Sequence, residues 1–128
     1  MPQYDVLCIG NAIVDIIAQC DEAFLADNGI IKGAMNLIDA ERAELLYTRM
    51  GPAIEASGGS AGNTAAGIAS FGGRAAFFGK VNADHLGEIY AHDIKALGVA
   101  FDTAPLKGGP PTARSMIFVT PDGERSMN

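Results

Sequence analysis

Apolar and polar positions along this chain alternate between a strand-like and a helix-like period, and the switches mark its elements. Tyr4 to Ile9 (YDVLCI) is a short apolar run rich in β-formers, ending at Gly10-Asn11, a turn or bulge signal. Ala12 to Ala18 (AIVDIIA) resumes strand character. Asp21 is placed to cap a short helix from Glu22 to Asn28, with Gly29 as its stop. Met35 to Ile38 predicts another strand, and Asp39 then caps a helix to Met50. In that helix Ala43, Leu46 and Met50 fall at i, i+3 and i+7, one buried stripe, and Gly51-Pro52 ends it. Ser57 to Thr64 (SGGSAGNT) predicts a loop, followed by a helix of small residues to Phe71 that Gly72-Gly73 stops. Ala75 to Phe78 predicts a buried strand. Asp84 opens a long helix with Leu86, Ile89, Tyr90, Ile94 and Leu97 on its apolar face; Gly98 ends it, and Val99 to Phe101 starts a further strand. Strand, helix, strand is a βαβ unit, which builds right-handed crossovers and parallel sheets. Lys107 to Pro111 (KGGPP) is a loop. Ala113 to Thr120 and Glu124 to Asn128 flank Pro121-Asp122-Gly123 and predict a β-hairpin. The last strand runs to Asn128 without a closing element, so the expectation is an N-terminal part of a longer protein.

Composition narrows this picture. A chain of 128 residues has the size of one domain. Hydrophobic residues make up 48% and charged residues 19%, a globular rather than a disordered balance. Nine basic and fifteen acidic residues give 9 − 15 = −6, which argues against a nucleic-acid footprint. Two cysteines, Cys8 and Cys20, make neither a disulfide framework nor a cysteine-rich zinc site, and Cys8 lies in an apolar run as a small core residue does. No basic segment precedes an apolar one as in a signal peptide. The longest uncharged stretch, Ala56 to Gly73, is too rich in Gly, Ser and Asn for a membrane span. The expectation is a soluble, cytoplasmic protein without membrane or nucleic-acid partners. Glycine stands out, with 16 residues in 128 against a typical ~7%.

Two common nucleotide motifs are absent: there is no P-loop and no G-x-G-x-x-G. His85 and His92 lie on one predicted helix about 10 Å apart along its axis, too far to share a metal in ordinary geometry. The Gly58–Asn63 segment is more informative. Glycines let a backbone approach a ligand, a helix N-terminus offers free N–H groups, and the Asn63 amide both donates and accepts, which suits vicinal hydroxyls. A tight turn before a closely packed helix explains the same residues. Asn11 and Asp15 form a second constellation. A strand points both to one side but about 13 Å apart when fully extended, and a turn at Gly10-Asn11 shortens this. Asp15 sits amid Ile13, Val14, Ile16 and Ile17, where a carboxylate either stays wet or meets donors such as hydroxyls.

Five ordered segments carry a family resemblance: Gly10-Asn11-Ala12-Ile13-Val14-Asp15; Gly58-Gly59-Ser60-Ala61-Gly62-Asn63; Gly72; Gly79-Lys80-Val81-Asn82-Ala83-Asp84-His85-Leu86-Gly87; and Pro111-Thr112-Ala113. Together they resemble the N-terminal part of the PfkB (ribokinase-like) family, which contains sugar kinases and adenosine kinases. The resemblance spans essentially the whole chain. It implies an α/β fold, a ribokinase-like doubly wound sheet with a small β-sheet lid, the lid strands lying near 14–18, 35–38, 113–120 and 124–128. It implies that Asn11, Asp15, the Gly58-Gly59 backbone and Asn63 hold sugar or ribose hydroxyls, and that the alternate lid residues Ser115 and Ile117 face the substrate. Asn82 stands where the family usually has glycine, and asparagine tolerates the left-handed backbone such a turn requires.

The family's second glycine-rich motif, G-A-G-D, which supplies the anion hole and catalytic aspartate, does not occur in these residues. The resemblance therefore implies ATP and Mg²⁺ for a complete enzyme whose ATP-binding part lies elsewhere. The G-N-x-[IL]-x-D start and the long helical insertion between Asp15 and Gly58 are closer to the adenosine-kinase-like branch than to ribokinase. The competing expectation is a catalytically incomplete sugar- or nucleoside-binding module. Lid edges would supply a homodimer surface in either case.

Overall fold

The computed structural model describes all residues 1–128. Its elements are β1 (Val6–Ile9), β2 (Ile13–Gln19), α1 (Glu22–Asp27), α2 (Ala40–Arg49), β3 (Ala53–Gly58), α3 (Ser60–Ser70), β4 (Ala75–Phe78), α4 (His85–Ala96), β5 (Ala113–Val119) and β6 (Arg125–Met127). Where the size of the chain predicts one domain, it divides into two compact units. One comprises Met1–Val14 and Ala56–Arg114, the other Asp15–Glu55 and Ser115–Asn128. The chain passes between them within β2, β3 and β5.

The first unit is built on parallel pairing. β1 and β4 run parallel from Val6↔Ala75 to Ile9↔Phe78, and α3 packs against both strands. After α4 the chain returns beside β4. The predicted strand over Val99–Phe101 is a single parallel bridge, Ala76↔Ala100, with a second bridge at Asn82↔Leu106. Pro105, which has no N–H to give a ladder, lies between the two. Helix α4 buries Gly87, Tyr90 and Ile94 along one stripe. Leu97, expected on that face, caps the helix and is half exposed. Tyr90 meets Phe77 and Phe101, three rings with centroids 5.7–5.8 Å apart, which form the centre of this core.

Asp84 caps α4 and does more than cap it. Its carboxylate accepts hydrogen bonds from the Gly87 N–H at 2.8 Å, the Thr112 N–H at 2.9 Å and the Thr112 hydroxyl at 2.6 Å. Burial works to raise this carboxyl, and the hydrogen bonds outweigh it, holding Asp84 below the ordinary carboxylate range.

The second unit holds most of a four-stranded sheet of order β3-β2-β5-β6. Along β2, Val14, Ile16 and Ala18 are buried while the alternate positions are half exposed, the period of a strand with one face in a core. Leu25, Ala43 and Leu46 supply helical core residues of this unit, and the Phe24 ring meets Phe118 in a tilted contact with centroids 5.1 Å apart. Asp21 and Asp39 cap α1 and α2 as expected, accepting from Phe24 N–H and Arg42 N–H. β5 and β6 form the predicted antiparallel hairpin around Pro121-Asp122-Gly123. Two expectations differ here. Residues 35–38 are no strand but one bridge, Met35↔Met127, beyond β6; Leu37 is 96% exposed, and the chain turns at once into the Asp39 cap. β3 is a strand that the pattern does not signal. Its sequence AIEASG has one β-branched residue, Ile54, and that side chain is exposed at the sheet edge.

Two glycine substitutions test this packing in opposite directions. A Cβ on Gly87 would fall on the carbonyl oxygen of Asn82, whereas one on Gly67, inside α3, meets nothing within 4 Å. Gly87→Ala should lower stability by about 1–3 kcal/mol, and Gly67→Ala should raise it by about 0.5–1 kcal/mol. Urea denaturation midpoints check both signs.

Candidate functional site

In the first unit, three glycine segments emerge from the carboxyl ends of strands: Gly10 after β1, Gly58-Gly59 at the end of β3, and Gly79 after β4. They touch through their backbones. A Cβ on Gly59 would lie 2.7 Å from the carbonyl oxygen of Asn11, and one on Gly79 would lie 2.7 Å from that of Gly10. One on Gly10 would lie 2.6 Å from the Cβ of Ala61. Real side chains do not fit at such distances, so the glycines are what lets these segments converge. Carboxyl ends of strands in α/β sheets are where ligands bind.

The loop expected over 57–64 contracts to one residue. Gly59, at φ 84°, turns the chain directly from β3 into α3, which begins at Ser60. Gly62 and Asn63 therefore lie in the first turns of the helix. The Asn63 N–H donates to the Gly59 carbonyl at 2.9 Å, and the Asn63 side chain is exposed, as is that of Asn11. Gly59 supplies no side-chain cap, in contrast to the aspartates that cap α1, α2 and α4. The first N–H groups of α3 thus lack an intrahelical acceptor and a capping side chain. The structure brings Asn11, Gly58, Gly59 and Asn63 into one region of this unit.

In the second unit, Asp15 and Ile17 alternate with the buried Val14, Ile16 and Ala18 on β2. On the neighbouring β5, Ser115 and Ile117 alternate with the fully buried Met116 and Phe118. Asp15, Ile17, Ser115 and Ile117 thus occupy the sheet face away from the Phe24–Phe118 contact. Burial pushes the Asp15 carboxyl above its ordinary value, with no offsetting donor.

Asn82 departs from its expected role. No residue other than glycine has a positive φ, so Asn82 is not left-handed. Its amide instead donates to the carbonyls of Gly108 (2.9 Å) and Pro110 (2.7 Å), fixing the 107–111 loop beside Thr112. The Asp84–Thr112 pairing joins two of the motifs across 28 positions, and the sequence signalled only the helix cap. His85 and His92 are exposed, and no group of three or more His, Cys, Asp or Glu side chains is placed to hold a metal. A cavity of about 410 Å³ beside α4, lined by Val81, Asn82, Phe101 and Asp102 among others, contains none of the expected site residues.

The pfkB family carbohydrate kinase profile matches residues 4–128. The crystal structure of adenosine kinase from Sinorhizobium meliloti is 78% identical with a TM-score of 0.88, covering 99% of this chain and 39% of that one. A probable sugar kinase from Rhizobium etli CFN 42 is 70% identical with a TM-score of 0.89, covering 100% of this chain and 39% of that one. Among curated proteins, "Probable fructokinase-6, chloroplastic" of Arabidopsis thaliana is 30% identical over 94% of this chain and 26% of its own length. The chain thus spans well under half the length of these relatives, and it shares the ribokinase-like α/β architecture of the solved kinases. Motifs, fold and the match over nearly every residue agree that this chain belongs to the PfkB family of carbohydrate kinases, as an N-terminal portion.

Proposed function

We propose that the complete protein transfers the γ-phosphoryl group of ATP to a primary hydroxyl of a nucleoside of the adenosine type, or of a sugar. The observation that carries this reading is the backbone convergence of Gly10, Gly59 and Gly79 at the carboxyl ends of strands, beside a helix N-terminus without a side-chain cap. Backbone N–H groups and the exposed amides of Asn11 and Asn63 are donors and acceptors of the kind that vicinal hydroxyls need. The preference for a nucleoside rests on the high identity to the Sinorhizobium meliloti adenosine kinase.

In this reading Asn11, Asp15, Gly58, Gly59 and Asn63 hold the acceptor's hydroxyls, and Ser115 and Ile117 face it from β5. The Asp15 carboxylate accepts from two hydroxyls, which replace the water that burial removes. ATP supplies the phosphoryl group, and Mg²⁺ would neutralise its charge. The catalytic base would be an aspartate of a G-A-G-D sequence, which these 128 residues do not contain. Phosphoryl transfer depends mainly on positioning and electrostatic stabilisation, and these residues supply the acceptor's share of the positioning.

A homodimer formed through the lid belongs to the same proposal. The outer edge of β6 is already bonded by residues 34–36, so the edge open to a partner is that of β3, where Ile54 is 70% exposed. A cytoplasmic setting is supported by two cysteines that are both free.

Two measurements on Asp15 follow. Two charge-assisted hydrogen bonds at about 1.5–3 kcal/mol each make Asp15→Ala lower kcat/KM for the acceptor by about a hundredfold or more, with KM for ATP unchanged. Unchanged kcat/KM with every nucleoside and sugar tested would remove Asp15 from the site. The second measurement is stability against pH. Because the folded-state carboxyl titrates above its unfolded value, its favourable contribution is complete at low pH and is lost as pH rises through the folded value. Asp15→Asn should therefore raise the denaturation midpoint at pH 7, with the gain vanishing below the ordinary carboxylate range. A gain equal at both pH values contradicts the burial argument.

A further inference from the structure

The Gly58-Gly59 turn is held from outside by one face of α4. Ser57, immediately before the turn, lies on β3, whose strand neighbour is β2 on one side only. Its N–H points to the free edge and donates to the Asp93 carboxylate at 2.6 Å. An edge-strand N–H has no ladder partner, so the carboxylate closes the edge just where the strand must stop and turn. On the far side of the turn, Gly62 lies against α4 as well. A Cβ there would sit 2.7 Å from the Tyr90 hydroxyl and 3.9 Å from Ile94 Cδ1. Tyr90, Asp93 and Ile94 fall at i, i+3 and i+4 and so share one helix face. That face grips the chain on both flanks of Gly58-Gly59: by a charged hydrogen bond before the turn and by close packing after it. The grip lies wholly within the first unit.

We propose that Asp93 is a positioning residue for the acceptor. Through the Ser57 N–H it fixes the backbone of Gly58 and Gly59, which rests on the kinase reading above for its ligand but on this hydrogen bond for its mechanism. Asp93 itself touches no substrate. Asparagine at this position keeps an acceptor oxygen of the same reach, alanine removes it, and proline at 57 removes the donor from the other side. Proline is tolerated where a strand's N–H faces a free edge.

The test uses the full-length protein with adenosine as acceptor, or with the sugar on which the wild type is active. Asp93→Ala should raise KM for the acceptor by about tenfold, the loss of one hydrogen bond to a charged group, and leave KM for ATP unchanged. Asp93→Asn should restore most of the acceptor KM. Ser57→Pro should reproduce the effect of Asp93→Ala, and the double variant should be no worse than the poorer single, because both remove one interaction. Amide hydrogen exchange of Ser57 should accelerate in Asp93→Ala. An unchanged acceptor KM, parallel rises in both KM values, or additive effects in the double variant would each overturn the proposal. Should Asp93→Ala fail to fold, Ser57→Pro and Asp93→Asn carry the same comparison. A wild-type protein that phosphorylates no nucleoside or sugar removes the kinase reading and this role with it, and is told apart by that control alone.

Discussion

Main-chain atoms of neighbouring strand ends approach one another here to distances that leave no room for a side chain. The carbonyl oxygens of Gly10 and Asn11 lie where a Cβ of Gly79 or Gly59 would have to be, and Ala61 lies against Gly10. This close approach sets where α3 begins, because Gly59 alone makes the turn out of β3. It also aligns the carboxyl ends of β1 and β4, already in parallel register, with the start of that helix. The polar groups of Gly58 and Gly59 are thereby presented by backbone rather than by mobile side chains. Such groups lose little freedom when a ligand binds, which is the physical meaning of preorganisation.

The rest of the first unit serves this arrangement. The Phe77, Tyr90 and Phe101 rings set α4 against the strands. The Asp84 carboxylate ties the start of α4 to Thr112, and Asn82 ties the preceding turn to the 107–111 loop. In the second unit the division of labour follows the strand period. One face of β2 and β5 is core, and the other carries Asp15 and Ser115. Asp15 is costly in the isolated fold, since burial penalises its charge without an offsetting donor. A group kept at such a cost fits a site completed by a ligand's hydroxyls.

Much of this was legible in the residues. Asp21, Asp39 and Asp84 announced three helix starts, the Pro121-Asp122-Gly123 turn announced the hairpin, and the apolar stripe of α4 announced the burial of Tyr90 and Ile94 but not that of Gly87, while Leu86 and Ile89 are half-buried and Leu97 is exposed. The outer stretches of the four-stranded sheet, β3 and residues 35–38, were not legible. β3 has almost no β-forming residues because its side chains pack little, and residues 35–38 look like a strand yet make one bridge. The glycine cluster predicts a loop, because composition does not show that a single left-handed residue suffices for the turn. The role of Asn82 is hidden for a similar reason: its side-chain partners, Gly108 and Pro110, lie 26 and 28 positions away, and nothing local points to them. Among the site residues, Asn11, Gly58, Gly59 and Asn63 could be grouped from the motifs. The backbone contact between Asn11 and Gly59 that brings them together required the fold.

If this close backbone approach builds the acceptor site, calorimetric titration of the acceptor into full-length Gly59→Ala protein will show it. Alanine there is strained at φ 84° and collides with the Asn11 carbonyl, so it should displace the turn. Acceptor binding should be lost while ATP binding persists with wild-type affinity. Wild-type acceptor affinity in Gly59→Ala would contradict it.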